Sequence, residues 1–181
     1  VFQNSKPTAD IAVFGRLRDY WGEVSPERTV FNEKPWYYAR LWESISNLGS
    51  SCDYIHQPVL EQAKIEGELL VCGEMSYKTI WLTEVESLSP KVAEVLKEFA
   101  NAGGKVVFIG KTPHRSLSFK NANNNDRLVK DAIKSLVAAE NVIQIDALEE
   151  SVDFITWTDE LMKKIELQPQ VKISNPVSHL Y

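Results

Sequence analysis

Apolar positions in this chain fall into short unbroken runs, separated by stretches in which they recur at helical spacing. The clearest passage is 78–111. TIWL at 79–82 is one apolar run and VVFI at 106–109 is another, and between them Val92, Val95, Leu96 and Phe99 lie on one helical face. Ser89-Pro90 supplies an N-cap followed by proline at the first helical position. Gly103-Gly104 supplies the stop, because glycine takes the left-handed conformation without a Cβ clash. Two wholly apolar strands joined by a helix predict a βαβ unit with parallel strands and a right-handed crossover.

The rhythm continues on both sides. ADIAVF at 9–14 predicts a strand ended by Gly15. Residues 36–48 predict a helix whose apolar face is wide, with Gly49 as its C-cap and with Trp36 and Trp42 packing it on the sheet. A strand is expected at 52–56, a short helix at 58–63, and a strand or extended arm at 67–72. Residues 111–125 form a polar loop ending in three asparagines, followed by an amphipathic helix at 126–139 and a last parallel strand at 142–145. One or two helices are expected within 147–165, and 168–174 reads as an isolated strand outside the rhythm. The alternation predicts an α/β fold: a three-layer α/β/α domain with an open, mostly parallel, flavodoxin-like sheet over 1–166, and a linker or strand over 167–181. Residues 16–35 alone lack clear periodicity, and long loops of that kind are functional or poorly ordered.

Composition narrows the function classes. The 181 residues suffice for one domain with a buried core, and 44% hydrophobic with 25% charged residues is ordinary for a soluble globular protein. A formal net charge of −5, with basic residues scattered and not interleaved with stacking aromatics, argues against a nucleic-acid partner. No apolar run approaches the roughly 18–20 residues that span a bilayer. The chain opens on Val1 in a polar segment, which suggests a processed chain or an excised fragment and no signal peptide. Cys52 and Cys72 make neither a C-x-x-C nor a zinc pattern and are expected to be buried or half-buried free thiols.

Chemical motifs are sparse. The loop after the first strand reads Phe14-Gly15-Arg16-Leu17-Arg18, which matches neither G-x-G-x-x-G nor G-x-x-x-x-G-K-[ST], and its bulk argues against a flavin phosphate. Lys111-Thr112-Pro113 imitates one element of a phosphoacceptor receiver, but Thr83-Glu84 stands where the acceptor Asp would be. Cys72-Gly73-Glu74-Met75-Ser76 is a superficial nucleophile-elbow candidate that precedes a strand and not a helix. His56, His114 and His179 are far apart in sequence and fit surface or loop positions, so no metal site is expected. Glu84 with Glu86, and Glu149 with Glu150, do not define a glycosidase pair. No catalytic residue and no cofactor are assigned. In an open α/β sheet ligands bind outside the carboxyl ends of the strands. The loops there, with the aromatic-rich stretch before the first long helix, nominate Arg16, Tyr20, Trp21, Trp36, His56, Glu84, Lys111 and His114 as ligand or interface contacts.

Taken in order, ADIAVFGRLRDYW at 9–21, LWESISNLGSSCDYIHQPVL at 41–60, the segment from GELLVC to TPHRS at 67–116, and QVKISNPVSHLY at 170–181 resemble an accessory module of large bacterial glycoside hydrolases of the alpha-L-rhamnosidase-like group. That module is similar to the beta-galactosidase trimerisation domain and to amidotransferases that have lost their nucleophile. The resemblance covers most of the chain and rests on segment order, not on a catalytic motif. It implies a non-catalytic domain that follows a catalytic barrel in a secreted or periplasmic enzyme, with Pro176 to Tyr181 leading into a β-sandwich module. The implied partners are other domains of the same polypeptide, with carbohydrate and a second copy as further candidates, and no nucleic acid or membrane span. Two other readings stay open: an amidotransferase-like hydrolase using Cys72 or Ser76, and a carbohydrate-binding module using Tyr20, Trp21 and Trp36.

Overall fold

The computed structural model of the protein describes residues 8–22 and 35–174. Five parallel strands, β1 (Ile11–Gly15), β2 (Cys52–Ile55), β6 (Thr79–Thr83), β7 (Lys105–Ile109) and β8 (Val142–Ile145), form one sheet in the order β2-β1-β6-β7-β8. Counting only these strands, the order is 2-1-3-4-5, that of flavodoxin-like doubly wound sheets. Every residue of β6 is buried, as expected for the central strand of a sheet covered on both faces.

The pleat sorts the side chains into two cores. Ala12, Phe14, Ile80, Leu82, Val106 and Phe108 face one layer, where α4 (Pro90–Asn101) and α5 (Ala122–Leu136) pack. Ile11, Val13, Trp81, Val107 and Ile109 face the other, where α2 (Leu41–Asn47) and α6 (Phe154–Lys164) pack. The βαβ unit forms as its sequence predicts. Ser89 caps α4 by accepting from Val92 N, and Val92, Val95, Leu96 and Phe99 are each at most 2% exposed. Burying each of those side chains stabilises the fold by about 1.5–3 kcal/mol relative to exposure. Gly103 ends the helix at φ +100°.

Other elements differ from the sequence reading. The 16–35 stretch contains a short helix, α1 (Leu17–Gly22), too brief to show periodicity. The helix expected from residue 36 begins as a 3-10 turn, Tyr38–Arg40, before α2. Tyr37, Leu41 and Ile45, four residues apart, are buried against the sheet, whereas Trp42, one residue past Leu41 and so about 100° around the helix, is 54% exposed. Trp42 therefore does not pack α2 on the sheet, contrary to expectation. Residues 57–60 form α3 (Gln57–Leu60). The arm expected at 67–72 is part of a second, three-stranded antiparallel sheet, β3 (Lys64–Glu66), β4 (Leu69–Cys72) and β5 (Met75–Tyr77), joined by the two-residue turns Gly67-Glu68 and Gly73-Glu74. Leu70, Cys72 and Tyr77 from this sheet extend the α4–α5 core. α5 starts four residues earlier than expected, because Asn121 turns the chain at φ +58° and accepts from Asn125 N.

Residues 168–174 form no strand. Val171 N donates to Gly49 O, and Gln170 Nε2 donates to Asp10 Oδ2 at 3.0 Å, so the segment is tied to the amino edge of the sheet by single bonds and not by a ladder. Cys52 is half-buried and Cys72 buried, both as free thiols. No helix among the described residues is long and apolar enough to cross a membrane.

Gly104 has no room for a side chain: a Cβ there would lie 2.0 Å from the buried Phe99 ring. Gly104→Ala is expected to destabilise the protein by about 1–3 kcal/mol through overpacking, read from the midpoint of a urea unfolding curve.

Candidate functional site

The sheet directs its carboxyl ends to one edge, and there the loops after β1, β2, β6 and β7 meet. The chain order reverses between β1 and β6, which makes this edge the switch point of the fold. β1 ends at Gly15, the chain passes through the half-buried Arg16, and α1 begins with Tyr20 N donating to Arg16 O at 2.9 Å. On α1, Asp19 is 2% exposed. Its Oδ2 accepts from Glu86 N at 2.9 Å and Ser87 N at 3.3 Å, and its Oδ1 accepts from Ser87 Oγ. A buried carboxylate with that many donors makes charge-assisted bonds, roughly twice as strong as neutral ones. Asp19 thereby fastens α1 to the loop after β6.

The same loop is fastened on its other side. Glu86 O accepts from His114 N and Arg115 N, and Leu88 N donates to Arg115 O. The Glu86 side chain, 18% exposed, pairs with Lys111 through Oε1 and with Arg115 Nη2 through Oε2 at 3.2 Å. The Lys111 hydrogen bond holds the Glu86 carboxyl below the usual carboxylate range, with the charges of Lys111, Arg115 and His114 adding to it against the opposing effect of burial.

Glu84 immediately follows β6 with φ +52°, a left-handed conformation that costs a non-glycine residue about 1–2 kcal/mol. Its N–H donates to Ile109 O at 2.8 Å, and its carboxylate accepts from Tyr37 Oη at 2.9 Å. Gly110, at φ +76°, leaves the space in which this carboxylate lies; a Cβ there would sit 2.1 Å from Oε1. Burial, then the bond to Glu84, pushes the Tyr37 phenol well above its ordinary range, so it stays a donor.

Of the residues nominated from sequence, Arg16 and His56 line one crevice of ≈ 180 Å³, together with the buried Phe14 and Ile55, with Leu17, Pro58, Asp19 and Ser87. Glu84, Lys111 and His114 belong to the neighbouring loops. Tyr20 is half-buried on α1, whereas the side chain of Trp21 and the whole of His179 lie outside the described residues. Trp36 belongs elsewhere. It packs edge-on against Tyr37 and tilted against Phe154, beside a second cavity of ≈ 260 Å³ between α2 and α6. That cavity is larger and is walled by α2 and by residues within 150–155, which lead from β8 into α6, and the Arg40 guanidinium already stands 5.9 Å over the Trp36 ring. Asp19, Tyr37 and Glu86 organise the strand-end loops, yet no motif marks them, because each acts through a partner at least 25 residues away in sequence.

Nucleophile and metal chemistry find little here. Burial pushes the Cys72 thiol up to about 11, and burial with the charge of Asp53 pushes Cys52 up to about 12. Ser76 is exposed on β5, in the antiparallel sheet and not at the switch point. Among the described residues no group of three or more His, Cys, Asp or Glu side chains could hold a metal ion. Comparison with known proteins adds no relative: no family model, no curated protein and no solved structure matches the chain.

The lowered Glu86 carboxyl fixes a sign. A carboxyl that titrates lower in the folded chain than in the unfolded one contributes stability that is complete above the unfolded value near 4.3 and disappears as pH falls through the folded value. Glu86→Gln is expected to cost about 1 kcal/mol at pH 7, the partners being partly exposed, and to flatten the acid limb of stability against pH. Urea midpoints of both proteins between pH 7 and pH 3 read the difference; parallel limbs would contradict it.

Proposed function

We propose that this chain is a non-catalytic accessory domain of a large glycoside hydrolase, one that packs against the catalytic barrel or an oligomer interface. The carrying observation is the state of the polar groups at the switch point. Asp19 is saturated by donors from the β6 loop, Glu86 is paired with two cations, and Glu84 is tied to Tyr37. Catalytic acids and bases need room to exchange protons with a substrate and are tuned toward the working pH; here the acids hold loops together, and Glu86 is shifted away from neutrality. The assignment to a glycoside hydrolase rests on the resemblance in segment order, and the flavodoxin-like sheet supports it at the level of fold.

The amidotransferase-like reading is less well supported. A working thiol nucleophile is accessible and partly ionised near neutral pH, whereas Cys72 is 9% exposed and shifted upward. The sugar-module reading has less support: Trp36 packs on Tyr37 and Phe154, and the Trp21 side chain lies outside the described residues.

Two measurements test the proposal. The isolated chain is expected to give no turnover of aryl alpha-L-rhamnosides or related aryl glycosides; turnover abolished by a single carboxylate substitution would overturn it. An antibody against this domain is expected to detect, in cells of its source, a polypeptide several times larger than 20.5 kDa. Detection of a free-standing protein of that mass alone would contradict the accessory role.

A further inference from the structure

The support role leaves the crevice at the ends of β1 and β2 unused. We propose that it is a binding site for a small organic monoanion, a carboxylate carried on a compact apolar body. Its position is the first argument. It opens outside the carboxyl ends of two adjacent parallel strands, beside the point where strand order reverses, and open α/β sheets collect ligands there.

Its lining sets the ligand's body. Phe14 and Ile55 are buried, and Leu17 and Pro58 add apolar surface from the segments after β1 and β2. At ≈ 180 Å³ the crevice is smaller than the roughly 300 Å³ at which drug-sized pockets begin, so it suits a single ring or a short branched chain.

Its charge sets the head group. Arg16 and Arg18 both line it, and the acid among them, Asp19, is 2% exposed with its oxygens occupied by Glu86 N, Ser87 N and Ser87 Oγ. The exposed Arg18 thus brings a positive charge to the crevice in a chain of net charge −5. Arg16 is engaged within the chain, so the head group falls to Arg18, which is exposed at the same crevice and whose guanidinium carries five donors in a planar fork that matches a carboxylate. A free inorganic anion would meet the same cations but gain nothing from the apolar walls.

The test is a titration of the chain followed by amide NMR, with benzoate, its neutral isostere benzamide, and inorganic phosphate as probes. Saturable benzoate shifts are expected at Gly15, Leu17 and His56, with a Kd on the order of 1 mM. Benzamide and phosphate should each bind about tenfold or more weakly, and Arg18→Gln should weaken benzoate by a similar factor. Leu17→Trp, at a position 52% exposed, is meant to fill the crevice and gives a second variant should Arg18→Gln fail to fold; it too must weaken benzoate. Benzoate shifts that do not saturate, benzamide binding as well as benzoate, phosphate equalling benzoate, or unchanged affinity in the folded variants would each overturn the site.

Discussion

The fold depends on burial of β6 from both sides. Thr79 to Thr83 are all buried, and the strand is hydrogen-bonded to β1 on one edge and β7 on the other. Trp81 faces the α2–α6 layer while Ile80 and Leu82 face the α4–α5 layer, so one strand joins both cores. A strand so enclosed has no freedom in where it ends. It delivers Glu84 and the loop behind it to the switch point, and the loops after β1 and β7 must accommodate that loop or leave buried polar groups unpaired.

The chain meets this demand with charge. Asp19 supplies acceptors to two backbone amides of the β6 loop, Glu86 gathers Lys111 and Arg115 from the loop after β7, and Glu84 reaches Tyr37 before α2. Each tie joins segments distant in sequence, and together they hold the loops after β1, β6 and β7 in one arrangement. An active site of this architecture would use the same positions for groups that bind and release protons. Here those positions are committed to holding the edge together, and the open surface that remains is the apolar crevice beside Arg16.

What the sequence reveals, and what it hides, follows from the range of each signal. The βαβ unit was legible because its cues are local: two apolar runs, Ser89-Pro90, and a glycine stop. The two-residue Gly67-Glu68 and Gly73-Glu74 turns were legible in principle as hairpin signals, but strands of three or four residues gave too little alternation to flag the second sheet. Trp42 misled because the apolar positions of 36–48 cover too wide a face to show which part meets the sheet, and Trp42 sits one residue past the buried Leu41. Arg16 and His56 could be placed beside one crevice by topology alone, since strand ends can be located from sequence. Asp19 was not, because nothing within α1 announces that its carboxylate reaches amides 67 and 68 residues away.

The claim that this edge is a locked support, and not a mobile catalytic rim, is most directly tested by native-state hydrogen exchange at the Glu86 and Ser87 amides, both of which donate to Asp19. If the clamp holds, these loop amides exchange as slowly as those of β6, through global unfolding. Exchange at the rate of an open loop, with β6 still protected, would contradict the account.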